Sequence, residues 1–470
     1  MTLSYRLAFL ISCPALIVPC VMSKNVAIIG GGVAGLSCAQ HLLNHGITST
    51  VFDTGKRYPG GRCSSRYLDL GDERIVMDHS AQFLSPQDES FQLWCDNQSE
   101  YIQEWNGRMG MYAGSMEILS DLPKRFVGKQ GMRSFITALA QNVDIEQDIW
   151  INRVERTNHQ WTLYGNRQPY KGYDAIIIAH NGKCADRLLS TANVPRIHDL
   201  LRVSFGPALP DLKFMRKMQL SSLYAMVVIL NTPLEVELEG IFVKDPKSIL
   251  SWICNTSAKI GNKTTNYQSW TFISTREYAA LNKVPQEAIP VEKEKQVKQE
   301  MLQAFADVVN IPLSSMDAAF SKIQLWGAAV PLNRHTSPFV WDSDAQVGIC
   351  GDWFTSTKSP APGIESAWCS GKKLADELAS QYCAGGGVRD VGFEASNCFE
   401  ACEESHPLGD VPGFQKPSST SRKKGPPLRP GLKANYPPRS STAPPKPYAS
   451  RRGQEDRDRR FSSTRTDTKI

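Results

Sequence analysis

The chain has 470 residues, 41% of them hydrophobic, and a formal charge of +6 from 53 Lys+Arg and 47 Asp+Glu. Its length and apolar content exclude a small disulfide-stapled module and allow two to three domains around a large core. The positive charge belongs to the end of the chain. From Lys416 onward there are 15 Lys+Arg against 4 Asp+Glu, which leaves 38 against 43 before it, so no nucleic-acid surface is expected in the folded part. Twelve cysteines lack C-x-x-C spacing, and Cys38 and Cys350 sit inside apolar runs, which points to free thiols and to no metal site.

In chain order, Arg6 precedes an apolar stretch, Leu7 to Met22, with the form of a signal or targeting peptide and too short for a membrane span. Pro14 and Pro19 weaken a spanning helix further, and Met22 lies directly before SKNVAIIGGG, so residues 1–23 read as an address or a misassigned start. An intracellular soluble protein is favoured, with a secretory or organellar destination as the alternative. Asn-x-Ser/Thr triplets at Asn97, Asn255 and Asn262 add little to the second.

Val26 to Ile29 is an apolar run suited to a strand buried on both faces of a parallel sheet. Gly30, Gly32 and Gly35 follow as G-x-G-x-x-G. The first turns the chain, the second admits a pyrophosphate to a helix N-terminus, and the third lets helix pack on strand. Leu36, Ala39, Leu42 and Leu43 recur at helical spacing, Gly46 ends the helix, and Thr48 to Phe52 forms a second strand. Asp53 closes that strand, placed to accept from adenosine ribose hydroxyls.

Gly60-Gly61-Arg62 then resembles the glycine-glycine-arginine element of the flavin amine oxidase superfamily, which implies an arginine against the FAD pyrophosphate, where forked donors match phosphate oxygens. Asp78 to Phe83, including Gln82, resembles the cofactor-lining segment of that superfamily. Phe126-Val127-Gly128 with Gly131-Met132 resembles its entry to a helix, expected over Ser134 to Ala140. Asp148 to Val154 and Trp161 to Tyr164 read as paired strands, and the resemblance gives Val154 a main-chain contact to adenine. The apolar run from Tyr173 to His180 reads as a strand returning to the cofactor.

Between Pro195 and Met316 the pattern is short strands at Leu223 to Leu230, Gly240 to Val243, Ile249 to Cys254 and Gln268 to Ser274. An amphipathic helix, Glu292 to Val309, follows, with Val297, Met301, Phe305 and Val308 on one face. This stretch resembles the substrate domain of the renalase family, with Trp252, Asn255, Ser257, Lys259 and Trp270 on its motif positions. The implied substrate-side residues are Trp252, Trp270 and Trp326. Val347 to Trp353 is a strand ending in Gly351-Asp352, and the resemblance gives Asp352 the ribityl or pyrophosphate portion of FAD. Gly363-Ile364 opens the last helix, whose N-terminus is expected to favour negative charge on the flavin.

The fold expected is α/β. A discontinuous Rossmann-like FAD-binding domain (24–194 and 317–383) is joined to an antiparallel-sheet substrate domain (195–316), followed by a disordered basic Pro/Ser-rich tail (384–470). The tail reads either as an arm for acidic partners or membrane surfaces or as a dispensable extension. The resemblance implies a renalase-like oxidoreductase with noncovalent FAD, since no Ser-Gly-Gly-Cys-Tyr element is present. Its substrate would be a small reduced molecule, a dihydronicotinamide type or an amine, and no side chain is assigned as catalytic. Two alternatives stay open: another amine oxidase or desaturase-like flavoenzyme, and a non-catalytic flavin-fold interaction protein.

Overall fold

The computed structural model describes residues 24–209, 217–261, 266–355, 362–383, 387–393 and 399–402. The N-terminal stretch 1–23, Asn262 and most of the basic tail lie outside the described residues.

The glycine-turn segment folds as its sequence requires. Strand Asn25–Ile29 is buried along its apolar run and leads through Gly30 (φ +114) into helix Val33–Asn44 and strand Thr48–Phe52. These belong to a six-stranded sheet in the order Val340–Asp342, Val347–Ile349, Ala175–Ile178, Asn25–Ile29, Thr48–Phe52, Asp144–Glu146, parallel except at its first pair. A parallel sheet covered on both faces needs continuous apolar strands, and Ala175–Ile178, with all four residues buried, supplies one. Helix Ile364–Cys383 lies on helix Val33–Asn44 so closely that a Cβ on Gly371 would stand 2.2 Å from the Ala34 carbonyl oxygen.

The second layer is a large sheet running Val203–Phe205, Met218–Leu230, Gln268–Ser274, Leu250–Asn255, Gly240–Val243, Met109–Tyr112, Met116–Leu119, with Ala318–Pro331 paired to Met218–Leu230. It is mixed rather than purely antiparallel, because Val203–Phe205 and Met109–Tyr112 join it in parallel. Its strands also come from outside 195–316: Met109–Leu119 and Ala318–Pro331 belong to it. Helix Val291–Val309 covers one face through Val297, Met301 and Phe305.

Several segments differ from the sequence reading. The strand expected from Asp148 begins at Ile151, because Asp148 has φ +55. Tyr173 ends a separate antiparallel strand, Gln168–Tyr173. Part of the stretch read as disordered is folded onto the body: Phe399–Ala401 pairs with Asn333–His335, and Phe399 is buried against Trp353. Asn255 is buried, and its side chain accepts from Ala258 N–H as a helix cap, so it is no glycosylation acceptor. All nine described cysteines are free thiols, and no group of metal-ligating side chains occurs among the described residues. No described helix is long and apolar enough to cross a membrane.

Candidate active site

The site is assembled around the glycine turn. A Cβ on Gly35 would stand 2.0 Å from the Gly30 carbonyl oxygen, so Gly35 is required by the fold. Gly32 differs. It caps helix Val33–Asn44 with ordinary backbone angles, and a Cβ there meets nothing within 4 Å, which leaves open space in front of the helix N-terminus. Gly31, an unconstrained position in the motif, is fixed by a neighbour, since a Cβ would stand 2.9 Å from the Asp53 carboxylate. Asp53 accepts from Gly31 N–H and Gly55 N–H, both at 2.8 Å. Its carboxylate therefore shapes the turn while keeping lone pairs for further donors.

The glycine-arginine loop packs on that turn through Gly60 N–H to Gly31 O at 2.7 Å, and Gly61 (φ +53) has open space beside it. Arg62 does not stand alone. Its guanidinium is forked on Asp352, Nη1 to Oδ2 at 2.8 Å and Nη2 to Oδ1 at 2.9 Å, and Nη1 also donates to Ala329 O at 2.6 Å. The residues expected to bind cofactor from opposite ends of the fold are thus brought together, but as partners of each other. A half-buried guanidinium takes the nearest carboxylate, and the fork leaves its Nε–H for a further anion. Gly351 N–H is held by Ser370 Oγ at 3.2 Å. Gly363 and buried Ile364 open the last helix next to residues 356–361, which lie outside the described residues.

The strip Asp78 to Phe83 joins this cradle through Ala81 N–H to Arg62 O. Three buried polar atoms in it have no partner among the described residues: His79 Nδ1, Ser80 Oγ and Gln82 Oε1, while Gln82 Nε2 donates to the Asp78 and Ser80 carbonyls. Such atoms are costly unless something bonds them. His79 stacks on Trp326 at 5.6 Å and accepts from its indole N–H at the main-chain carbonyl. Burial pushes the His79 imidazole down to about 4, so it is neutral at pH 7.

Sequence spacing gave no hint that Lys259 and Asp78, 181 residues apart, form an ion pair sealed from solvent, with Nζ 2.8 Å from Oδ2 and 3.0 Å from Gln82 O. Burial pulls the Lys259 ammonium down, but the Asp78 charge and hydrogen bond outweigh it and its pKa is raised. Asp78 also accepts from Ser65 Oγ and Met132 N–H, so the pair ties the strip to both layers.

The three tryptophans do not form a set. Trp252 packs with Phe83 and Phe242 on the sheet face nearest the strip, where Trp326 also lies. Trp270 points to the opposite face, against Phe305 of the covering helix, and donates to Gln268. It is core, because successive strand residues face opposite sides. The Val154 side chain is likewise buried core, in strand Ile151–Thr157.

The arrangement offers an anion cradle at a helix N-terminus, a forked cation, and a buried strip of unmet donors and acceptors. The open space at Gly32 and Gly61 and the orphaned atoms at His79, Ser80 and Gln82 fit a group combining phosphates with a polar-edged ring, as FAD does. A cavity of about 610 Å³ lies elsewhere, between helix Val291–Val309 and Asp245–Ile249, and contains none of these groups.

The profile of the NAD(P)-binding Rossmann-like domain matches residues 28–96. Protein anon-37Cs of Drosophila lebanonensis is 46% identical over 62 residues, 12% of this chain and 11% of that protein, so the match spans about a tenth of the length of the curated relative. Among solved structures, reduced UDP-galactopyranose mutase superposes with a TM-score of 0.57 at 10% identity, covering 80% of this chain and 96% of that one. Cyclohexylamine oxidase of Brevibacterium oxydans IH-35A superposes with a TM-score of 0.52 at 11% identity, covering 76% and 99%. What is shared at such identities is the fold, and a fold common to a mutase and an oxidase does not choose a reaction. The chain therefore carries an NAD(P)-binding Rossmann-like segment within the α/β fold that it shares with these proteins.

Proposed function

We propose that the chain is an FAD-dependent oxidoreductase of the renalase-like kind, binding FAD noncovalently and oxidising a small reduced substrate, a dihydronicotinamide type or an amine. One observation carries this reading: the loop that carries Arg62 is bonded to the glycine turn through Gly60 N–H and Gly31 O, and Arg62 is forked on Asp352, 290 residues away. Bound flavin would supply a hydride acceptor whose electrons pass on to O2 or another acceptor. The N–H groups beyond Gly32 and the free donor of Arg62 would hold phosphate oxygens, Asp53 and Asp352 would accept from sugar and ribityl hydroxyls, and the Asp78 to Phe83 strip would meet the ring. Hydride transfer needs alignment more than a proton carrier. The neutral His79 and the locked Asp78–Lys259 pair suit a wall that orients and excludes water.

Purified protein is expected to be yellow and to release FAD on acid denaturation. Gly32→Val and Arg62→Ala are each expected to lose most of the bound flavin while keeping native circular dichroism. A folded, colourless preparation that takes up no added FAD overturns the proposal. Anaerobic mixing with dihydronicotinamides and with amines then identifies the substrate class by which one bleaches the flavin.

A further inference from the structure

Arg125 is 7% exposed and lies just before strand Phe126–Gly128. Nη2 donates to Gly107 O at 3.2 Å, and the guanidinium carbon lies 5.4 Å from the Trp105 ring centroid. Nε and Nη1, both sealed from solvent, have no partner among the described residues. Glu239 and Glu104 lie near enough to act on its charge. Glu239 Oε2, however, is engaged with Trp105 Nε1 at 2.6 Å, and burial still pulls the Arg125 guanidinium below its ordinary range. Arg125 lines a narrow slot together with Phe83, Ser85, Met109, Leu122, Pro123 and Phe242.

A buried guanidinium with unmet donors is among the costliest groups a fold can carry. The slot belongs to the apolar cluster that contains Phe83 and Trp252, and Phe83 directly follows Gln82 of the strip. We propose that Arg125 is a ligand-binding residue, its Nε and Nη1 donating to a carboxylate on a flat apolar molecule whose ring lies against Phe83, Met109 and Phe242. The ligand enters by displacing Leu122 and Pro123, which line the slot. That this ligand is the substrate rests on the oxidoreductase reading above, whereas its binding does not. A desolvated guanidinium repels an ammonium group, so the site selects against an alkylamine, one of the two substrate types of that reading.

The test titrates the full-length, FAD-loaded protein with benzoate and with benzylamine, following tryptophan fluorescence and flavin absorbance. Benzoate is expected to bind saturably and benzylamine not to. Arg125→Met is expected to weaken benzoate at least about tenfold, the loss of a charged hydrogen bond. Its thermal midpoint without ligand is expected to be equal or higher, because an unmet buried cation is gone. Equal benzoate affinity in Arg125→Met, or no benzoate binding to folded FAD-loaded wild type, overturns the proposal, as does a lowered midpoint with unchanged affinity. If Arg125→Met does not fold, Arg125→Lys, which keeps the charge and loses the fork, decides by the same affinity criterion. Arg125-dependent benzoate binding in a protein that takes up no FAD would overturn the oxidoreductase reading and leave this one standing.

Discussion

The glycine turn and the Asp78 to Phe83 strip meet at Arg62 and are built on opposite principles. The turn is made of backbone: Gly30, Gly31 and Gly35 are there because a Cβ would collide or the chain must take a positive φ, and Gly32 because nothing fills the space beside it. The strip is held by distant side chains: Lys259 on the Asp78 carboxylate, and Thr271 and Trp326 on the Asp78 and His79 main-chain carbonyls. A backbone site tolerates changes that leave its angles intact. A site built on buried charges does not.

The largest effect expected is at the ion pair. Lys259→Met leaves the Asp78 carboxylate buried with one partner fewer and should cost about 3–5 kcal/mol in urea unfolding. The double change with Asp78→Asn should recover part of that loss. Equal stabilities of wild type and Lys259→Met would falsify the claim that the strip hangs on this pair.

Next comes acid. Burial holds both His79 and His335 down to about 4 from an ordinary value of 6.5. Between those values the unfolded chain binds more protons than the folded one, so stability present above pH 6.5 is lost as pH falls toward 4, by at most about 3 kcal/mol per histidine. Denaturant melts at pH 7 and pH 5 should show the loss, and His79→Phe should remove its share of the pH dependence. A pH-independent midpoint across this window would count against buried neutral histidines.

The smallest stability effects separate the two kinds of glycine. Gly35→Ala is expected to cost about 1–3 kcal/mol through its clash with the Gly30 carbonyl. Gly32→Ala should change stability by about 0.5 kcal/mol or less. Flavin retention should fall in both, in Gly35→Ala together with the melting midpoint and in Gly32→Ala without it. The comparison breaks if Gly32→Ala melts as low as Gly35→Ala.

How much of this was legible varies with the range of the interaction. The first strand, its helix and the second strand read cleanly, since a buried parallel strand and a glycine turn leave local patterns. The face of helix Val291–Val309 was equally plain from its period. Gly31 escaped because the motif constrains spacing while its need arises from Asp53 behind it. Trp270 was placed with Trp252 because both sit on tryptophan-bearing strands. A register shift between Leu250 and Trp252 and the pleat put them on opposite faces of one sheet, and no local pattern carries that.

By itself the sequence determined the dinucleotide-type turn, the buried central strands, the free thiols and the charge of the tail, all properties of short windows or of composition. Only the tertiary structure decided that Arg62 rests on Asp352, that Lys259 is sealed against Asp78, and that Arg125 is left with unmet donors in an aromatic slot. The energies of buried charges are set by what surrounds them in space, and in this chain the partners of Arg62 and Lys259 stand 290 and 181 residues away.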